Sequence, residues 1–180
     1  RPGQQFVDAD GTTHPGSWYT YSVERKAAIG ITEIVQETPP DSRLYNWSQN
    51  ADGTISSAAK ELGDIDVVDE NGDPVLDDDD VQVVQLGVKS NLIAEVKSQQ
   101  GSLLAQTDWA VTRKSEKNTA IPANIVTYRD AIRSKATAME SAIAGTANTA
   151  AVAALFVTYT TNEDGSVTKS GILYDWPELG

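Results

Sequence analysis

A chain of 180 residues with four Trp, six Tyr, two Phe and 39% hydrophobic content can seed one modest core, with at most a small appendage. Its 26 acidic against 14 basic residues leave a net charge of -12, a field that repels nucleic acid unless a local basic stripe overrides it. The absence of cysteine excludes disulfides, zinc–thiolate sites and thiol catalysis, and no apolar run approaches the ~20 residues that cross a bilayer. Whether residues precede Arg1 stays open, and nothing at that end reads as a signal peptide.

Residues 1–59 read as a β-rich region. Phe6 and Val7 form a short strand before the Asp10-Gly11 turn, a hairpin signal. "GSWYTYS" alternates Trp18, Thr20 and Ser22 against Tyr19 and Tyr21, which suits a strand with both faces partly used. "SVERKAAIG" predicts a helix capped by Ser22 and stopped at Gly30. "ITEIV" then returns to strand character until Pro39 and Pro40 close it. "RLYNWSQNADGTISSA" repeats the opening grammar around Asp52-Gly53, so the two hairpins are expected to share one small sheet.

Residues 60–145 hold a hairpin and a helical pair. Val67 and Val68 face Val75 and Leu76 across Asn71-Gly72, where both central residues tolerate positive φ. Asp77 to Asp80 then stand where acids would complement a helix N-terminus. Val84, Val88, Leu92 and Val96, widened by Ile93, predict an amphipathic helix over about 81–104, with a break at Gly101. A second helix starts near Pro122 and carries the stripe Ile125, Tyr128, Ile132, Ala136, Met139 and Ile143 until Gly145. Joined by the polar loop "RKSEKNTAIP", the two helices are expected to pack antiparallel. Residues 146–180 add a short helix, 150–156, and a hairpin about Asp164-Gly165. The fold class is therefore α+β: N-terminal β-hairpins, a central antiparallel helical pair and a C-terminal β-hairpin.

Chemistry is sparse. His14 is the only histidine and precedes Pro15 in a turn-rich loop, which leaves a catalytic triad without its base and points to a surface role. Nucleophile-elbow, phosphate-loop and zinc-protease motifs are absent. "VVDENGDPVLDD" fails the calcium-loop pattern, since Val67 takes the first ligand position and Asp78 the place of a bidentate Glu. No metal and no cofactor is expected, although Asp77 to Asp80 could attract an adventitious cation. A glycosidase needs two carboxylates some 5–9 Å apart across a groove, and an acid-rich sequence supplies such pairs without locating them. The densest charged stretch, 107–135, contains Asp108, Arg113, Lys114, Glu116, Arg129, Asp130 and Arg133 around Trp109 and Tyr128. Helical spacing reads Arg129 and Arg133 as the solvated flank of a helical hairpin. Arg113, Lys114 and Lys117, with Arg129, Arg133 and Lys135, form the one basic stripe, which acids at 108, 116 and 130 interrupt.

Two stretches carry a family likeness. "RPGQQFVDADGTTHPGSWYTYSVERKAAIGIT" resembles the opening of small proteins encoded among the tail genes of tailed bacteriophages. Those read R-P-G, an aromatic, an Asp-Gly turn, a His/Tyr-Pro, a Trp and a short helix ending in G-I. "LLAQTDWAVTRKSEKNTAIPANIVTYRDAIR" is similar to the helical part of the same group, frequent in phages of cyanobacteria and other marine bacteria. The likeness covers residues 1–34 and 103–143 and transfers no catalytic or ligand residue. It implies a tail-fibre-like or fibre-assembly protein located in the virion tail and assembled in the host cytoplasm.

The resulting expectation is a non-enzymatic structural module that contacts other phage tail proteins. Self-association is left open, and neither nucleic acid nor membrane is a partner. Trp18, Tyr19, Tyr21, Tyr45 and Trp47 are the docking candidates, because large rings on short hairpins bring contact area at low entropy cost. A transient fibre-assembly chaperone and a small cell-surface glycan hydrolase are the alternatives.

Overall fold

One five-residue turn shapes much of this chain. In the computed structural model, the N–H groups of Asp8, Asn50, Asp69, Asp77 and Asn162 each donate to the carbonyl four residues on. Their own carbonyls accept from Gly11, Gly53, Gly72, Asp80 and Gly165. That fourth residue has positive φ every time, from +59° at Asp80 to +87° at Gly72. Such a type I turn with a left-handed residue behind it closes a hairpin, and Gly or Asp adopts that conformation at little strain. Asp8, Asp69 and Asp77 reinforce it with a carboxylate oxygen that accepts two further N–H groups of the same turn. Asp77 to Asp80 therefore build a hairpin turn, not the helix cap expected of them.

The structure describes residues 3–32 and 37–179. They divide into a smaller unit, 1–40 with 47–57, and a larger one, 41–46 with 58–180.

In the smaller unit, β1 (Phe6–Val7) pairs antiparallel with β2 (Thr13–His14). Residues Trp18–Thr20 form a 3-10 helix where a strand was expected. Pro15 and Ser17 present carbonyls to the N–H groups of Trp18 and Thr20, and the Thr20 hydroxyl also donates to Ser17. α1 (Val23–Ala28) matches the expected helix. The Ser22 hydroxyl accepts from the Arg25 N–H, and the N–H groups of Gly30 and Ile31 close its end onto Ala27 and Lys26. Ile31 and Thr32 take no strand, and the rest of "ITEIV" lies outside the described residues. β3 (Tyr45–Gln49) and β4 (Ile55–Ala59) form the second hairpin, whose base belongs to the larger unit. The two hairpins remain separate two-stranded sheets, which corrects the single sheet expected of them.

The larger unit begins with a junction of three hairpin arms. β5 (Ile65–Asp66) pairs with β6 (Val84–Gln85), while the turns at 69–73 and 77–81 close two further arms. The arms meet at a closed ring of backbone bonds. Val67 N–H donates to Val83 at 2.9 Å, Val83 to Val75 at 2.8 Å, and Val75 back to Val67 at 3.0 Å. The Gln82 amide adds a bond to the Val67 carbonyl at 2.7 Å. Because 81–86 is held in this junction, α2 starts at Val88 instead of near 81, and Val84 belongs to a strand.

α2 (Val88–Ala105) runs unbroken through Gly101, contrary to the expected break. α3 (Asp108–Lys117) takes in the first half of the segment read as a polar loop. α4 (Ala123–Ala144) buries all six residues of its predicted stripe. The pair is antiparallel: the Lys89 ammonium reaches the carbonyls of Ala144 and Thr146, Lys97 faces Glu140, and Arg129 reaches Leu104. Val88, Leu92 and Val96 pack on Ala136, Met139 and Ile143, joined by Leu44, Val152, Phe156 and Leu173. This is the apolar core the helical periods call for.

α5 (Thr149–Ala153), capped by the Asn148 side chain, leads to β7 (Thr158–Thr161) and β8 (Val167–Ser170). The tail then returns to the helices. Tyr174 donates to Glu95 and Trp176 to Gln99, both at 2.7 Å, and Asp175 accepts from Lys135 and Lys169.

Candidate functional site

The smaller unit is organised by rings. Register places Phe6 opposite His14, and the two stack at 6.1 Å with 25° between planes. Trp18 lies 6.3 Å from Phe6 and its indole N–H donates to the Gln4 carbonyl. Tyr21 meets His14 edge-on, with the Arg25 guanidinium 3.9 Å above its ring. His14 Nε2 sits 2.9 Å from Asp8 Oδ2, so this histidine is a half-buried partner inside a hairpin and not a surface loop residue. The His14 hydrogen bond, with the N–H groups of Thr12 and Asp10, holds the Asp8 carboxyl below its ordinary range.

The five predicted docking aromatics thus separate. Trp18 and Tyr21 are half-buried in intramolecular contacts. Tyr45 packs against the core of the larger unit. Tyr19 and Trp47 remain exposed, at 48% and 42%. Among the described residues the only buried side chain of the smaller unit is Lys26, and every buried hydrophobic residue lies in the larger one.

The chain matches no family model, no curated protein and no solved structure.

Within the larger unit a groove of about 710 Å³ runs over Val88 and Leu92 of α2. Arg43, Lys60, Glu61 and Glu95 supply its charges. Three of these are committed. Arg43 holds Asp41 through two of its nitrogens and lies 3.6 Å over the Phe156 ring, and it keeps the Asp41 carboxyl below its usual range. Lys60 donates to the Ser42 carbonyl. Glu95 accepts from Tyr174 and Gln99. Burial, and then the bond to Glu95, pushes the Tyr174 phenol well above its ordinary range. The Glu61 side chain is exposed.

The charged stretch 107–135 splits in two. Arg133 pairs with Asp130 at 3.1 Å on an open helix flank, as its spacing predicts. Arg129 does not belong to that flank. Its Nη1 lies 2.8 Å from each of three acceptors, the Leu104 carbonyl, the Thr107 hydroxyl and Asp108 Oδ1. It fastens the end of α2 and the start of α3 to α4, and its side chain is only 12% exposed. With Lys135 bound to Asp175, the predicted basic stripe loses two members to internal contacts. Arg113 lies 5.1 Å over Trp109, with a buried Nε that has no hydrogen-bond partner among the described residues.

Among the described residues, no three His, Asp or Glu side chains converge as a metal site, and no helix is long and apolar enough to cross a membrane. The pairing of Asp8 with His14 escaped the sequence reading. Its signal was available, because a hairpin centred on Asp10-Gly11 sets the two side by side.

Proposed function

We propose that this chain is a non-enzymatic structural protein of a bacteriophage virion, a tail or tail-fibre component that docks on other tail proteins through its smaller unit. The family likeness of residues 1–34 and 103–143 supplies the biological context. The observation that carries the docking is that the described residues of this unit bury no apolar side chain. Lys26 is the one buried side chain among the described residues of that unit, while Tyr19 and Trp47 stand exposed. A small unit without disulfides, whose described residues include no buried apolar side chain, has little drive to hold its shape alone, so a partner surface completes it. Exposed rings are the groups through which such a surface gains most.

Mass spectrometry of purified particles tests this reading. The chain is expected in them at constant copy number. Tyr19→Ser with Trp47→Ser, in a chain whose circular dichroism is unchanged, should be lost from them. Full retention of that variant overturns the docking surface, and absence of the unaltered chain turns the reading to an assembly chaperone.

The groove favours the glycan-hydrolase alternative to one extent: two of its lining residues, Glu61 and Glu95, are carboxylates. Release of reducing sugar from cell-surface glycan, lost in Glu61→Gln, would establish that reading in place of the first.

A further inference from the structure

The three-armed junction leaves one apolar face uncovered. Successive side chains leave a pleated strand on opposite faces. Val68, Leu76 and Val84 therefore lie opposite Val67, Val75 and Val83, the residues of the hydrogen-bond ring. Burial follows that division: the ring valines are half-buried, whereas Val68, Leu76 and Val84 are 54%, 50% and 41% exposed. All three repeat at a spacing of eight, so each arm presents one of them beside the junction centre.

The segment that carries this face is strongly acidic. Nine Asp and Glu residues and no Lys or Arg fall between residues 64 and 86, in a chain whose net charge is -12. Asp64, Asp69 and Asp77 are occupied by N–H groups or a hydroxyl. Asp66, Glu70, Asp78, Asp79 and Asp80 form no ion pair with a described residue. An apolar centre inside a charged rim is the anatomy of a protein–protein interface, and the sign of the rim selects its complement.

We infer that this face docks a protein partner with a basic rim around an apolar centre. A second copy of the chain is disfavoured by charge, since it would set two strongly acidic rims together. A metal ion finds no group of three ligands among the described residues. The inference concerns the larger unit and stands apart from the docking of the smaller one.

Binding of the full-length chain to a fluorescent peptide of alternating lysine and leucine tests it, with oligolysine of equal charge as comparison. The alternating peptide is expected to bind about tenfold more tightly than oligolysine. Leu76→Ser with Val84→Ser should weaken it about tenfold, as should Asp78→Asn with Asp79→Asn. Glu163→Gln with Glu178→Gln, acids outside the junction, should change nothing. Equal affinity for the two peptides, or an effect of the outside pair equal to that of Asp78 and Asp79, overturns the inference in favour of nonspecific charge attraction. Indifference to Leu76→Ser, with the fold intact by circular dichroism, overturns it as well. Concentration-dependent dimerisation that Leu76→Ser abolishes would replace the basic partner with a second copy.

Discussion

Arg129 and Thr107 meet at 2.8 Å, guanidinium to hydroxyl, at a threonine that is 1% exposed. The same nitrogen serves the Leu104 carbonyl and Asp108, so one side chain of α4 ties the end of α2 to the start of α3. Arg129→Met removes all three bonds while keeping much of the stem. A loss of about 1–3 kcal/mol is expected, because the buried Thr107 hydroxyl oxygen loses its donor while the Leu104 carbonyl keeps the Thr107 N–H and Asp108 keeps solvent. Hydrogen exchange should accelerate across α3 before the α2–α4 pair. Unchanged exchange in α3 would contradict this role.

Met139 is fully buried between the paired helices. Met139→Ala should lower stability by about 2–5 kcal/mol through lost contacts and the cavity left behind. Met139→Asp should prevent folding of the larger unit, since an unpaired buried carboxylate adds several kcal/mol. Thermal melting of the two variants, compared with the parent, checks the order.

Two glycines should respond in opposite directions to alanine. A Cβ at Gly171 would stand 2.2 Å from the Phe156 carbonyl oxygen, at a φ of +84°. Gly171→Ala should therefore destabilise by more than about 1 kcal/mol. Gly101 lies on the exposed side of α2 with nothing near its missing Cβ, so Gly101→Ala should stabilise by up to about 1 kcal/mol. Differential melting temperatures decide both.

The stability profile against pH should fall at both ends. Lys169 and Lys135 hold the Asp175 carboxyl below its ordinary 3.8. A depressed folded value means stability that is present above 3.8 and is lost as pH falls below it. Tyr174 is raised above its ordinary 10.0, so its contribution is full below that pH and declines as pH rises beyond it. Asp175→Asn should flatten the acid limb and Tyr174→Phe the alkaline one. Melting curves between about pH 3 and 11 report both limbs.

The helical part was legible because its period is long and uninterrupted. α4 keeps spacings of three and four from Ile125 to Ile143, and every one of those residues is buried. The start of α2 was not legible. Val84 and Val88 stand four apart by coincidence, while the Asp77 turn and the bonds among Val67, Val75 and Val83 draw 81–86 into strands. An eight-residue spacing fits the helical and the strand period alike, so periodicity cannot choose between them. α3 escaped because it buries only Ala110, which leaves a polar helix looking like a loop. Of the docking candidates, sequence singled out the ring-bearing hairpins, but only tertiary contacts show that Trp18 and Tyr21 face inward and Tyr19 and Trp47 outward. The grooved surface over α2 and the clamp at Arg129 depend on residues far apart in the chain, which local spacing does not connect.

The closed ring at Val67, Val75 and Val83 has a bearing on how this protein tolerates change. Each of its two free arms ends in a self-sufficient turn, with Asp69 or Asp77 supplying the internal bonds. Length added beyond those turns is length added to solvent, where a longer loop raises closure entropy only slowly. The junction therefore acts as a hub with two interchangeable spokes. A foreign peptide grafted between Glu70 and Asn71, at an exposed tip, would replace the Asp69 turn and leave the bonds among Val67, Val75 and Val83 in place.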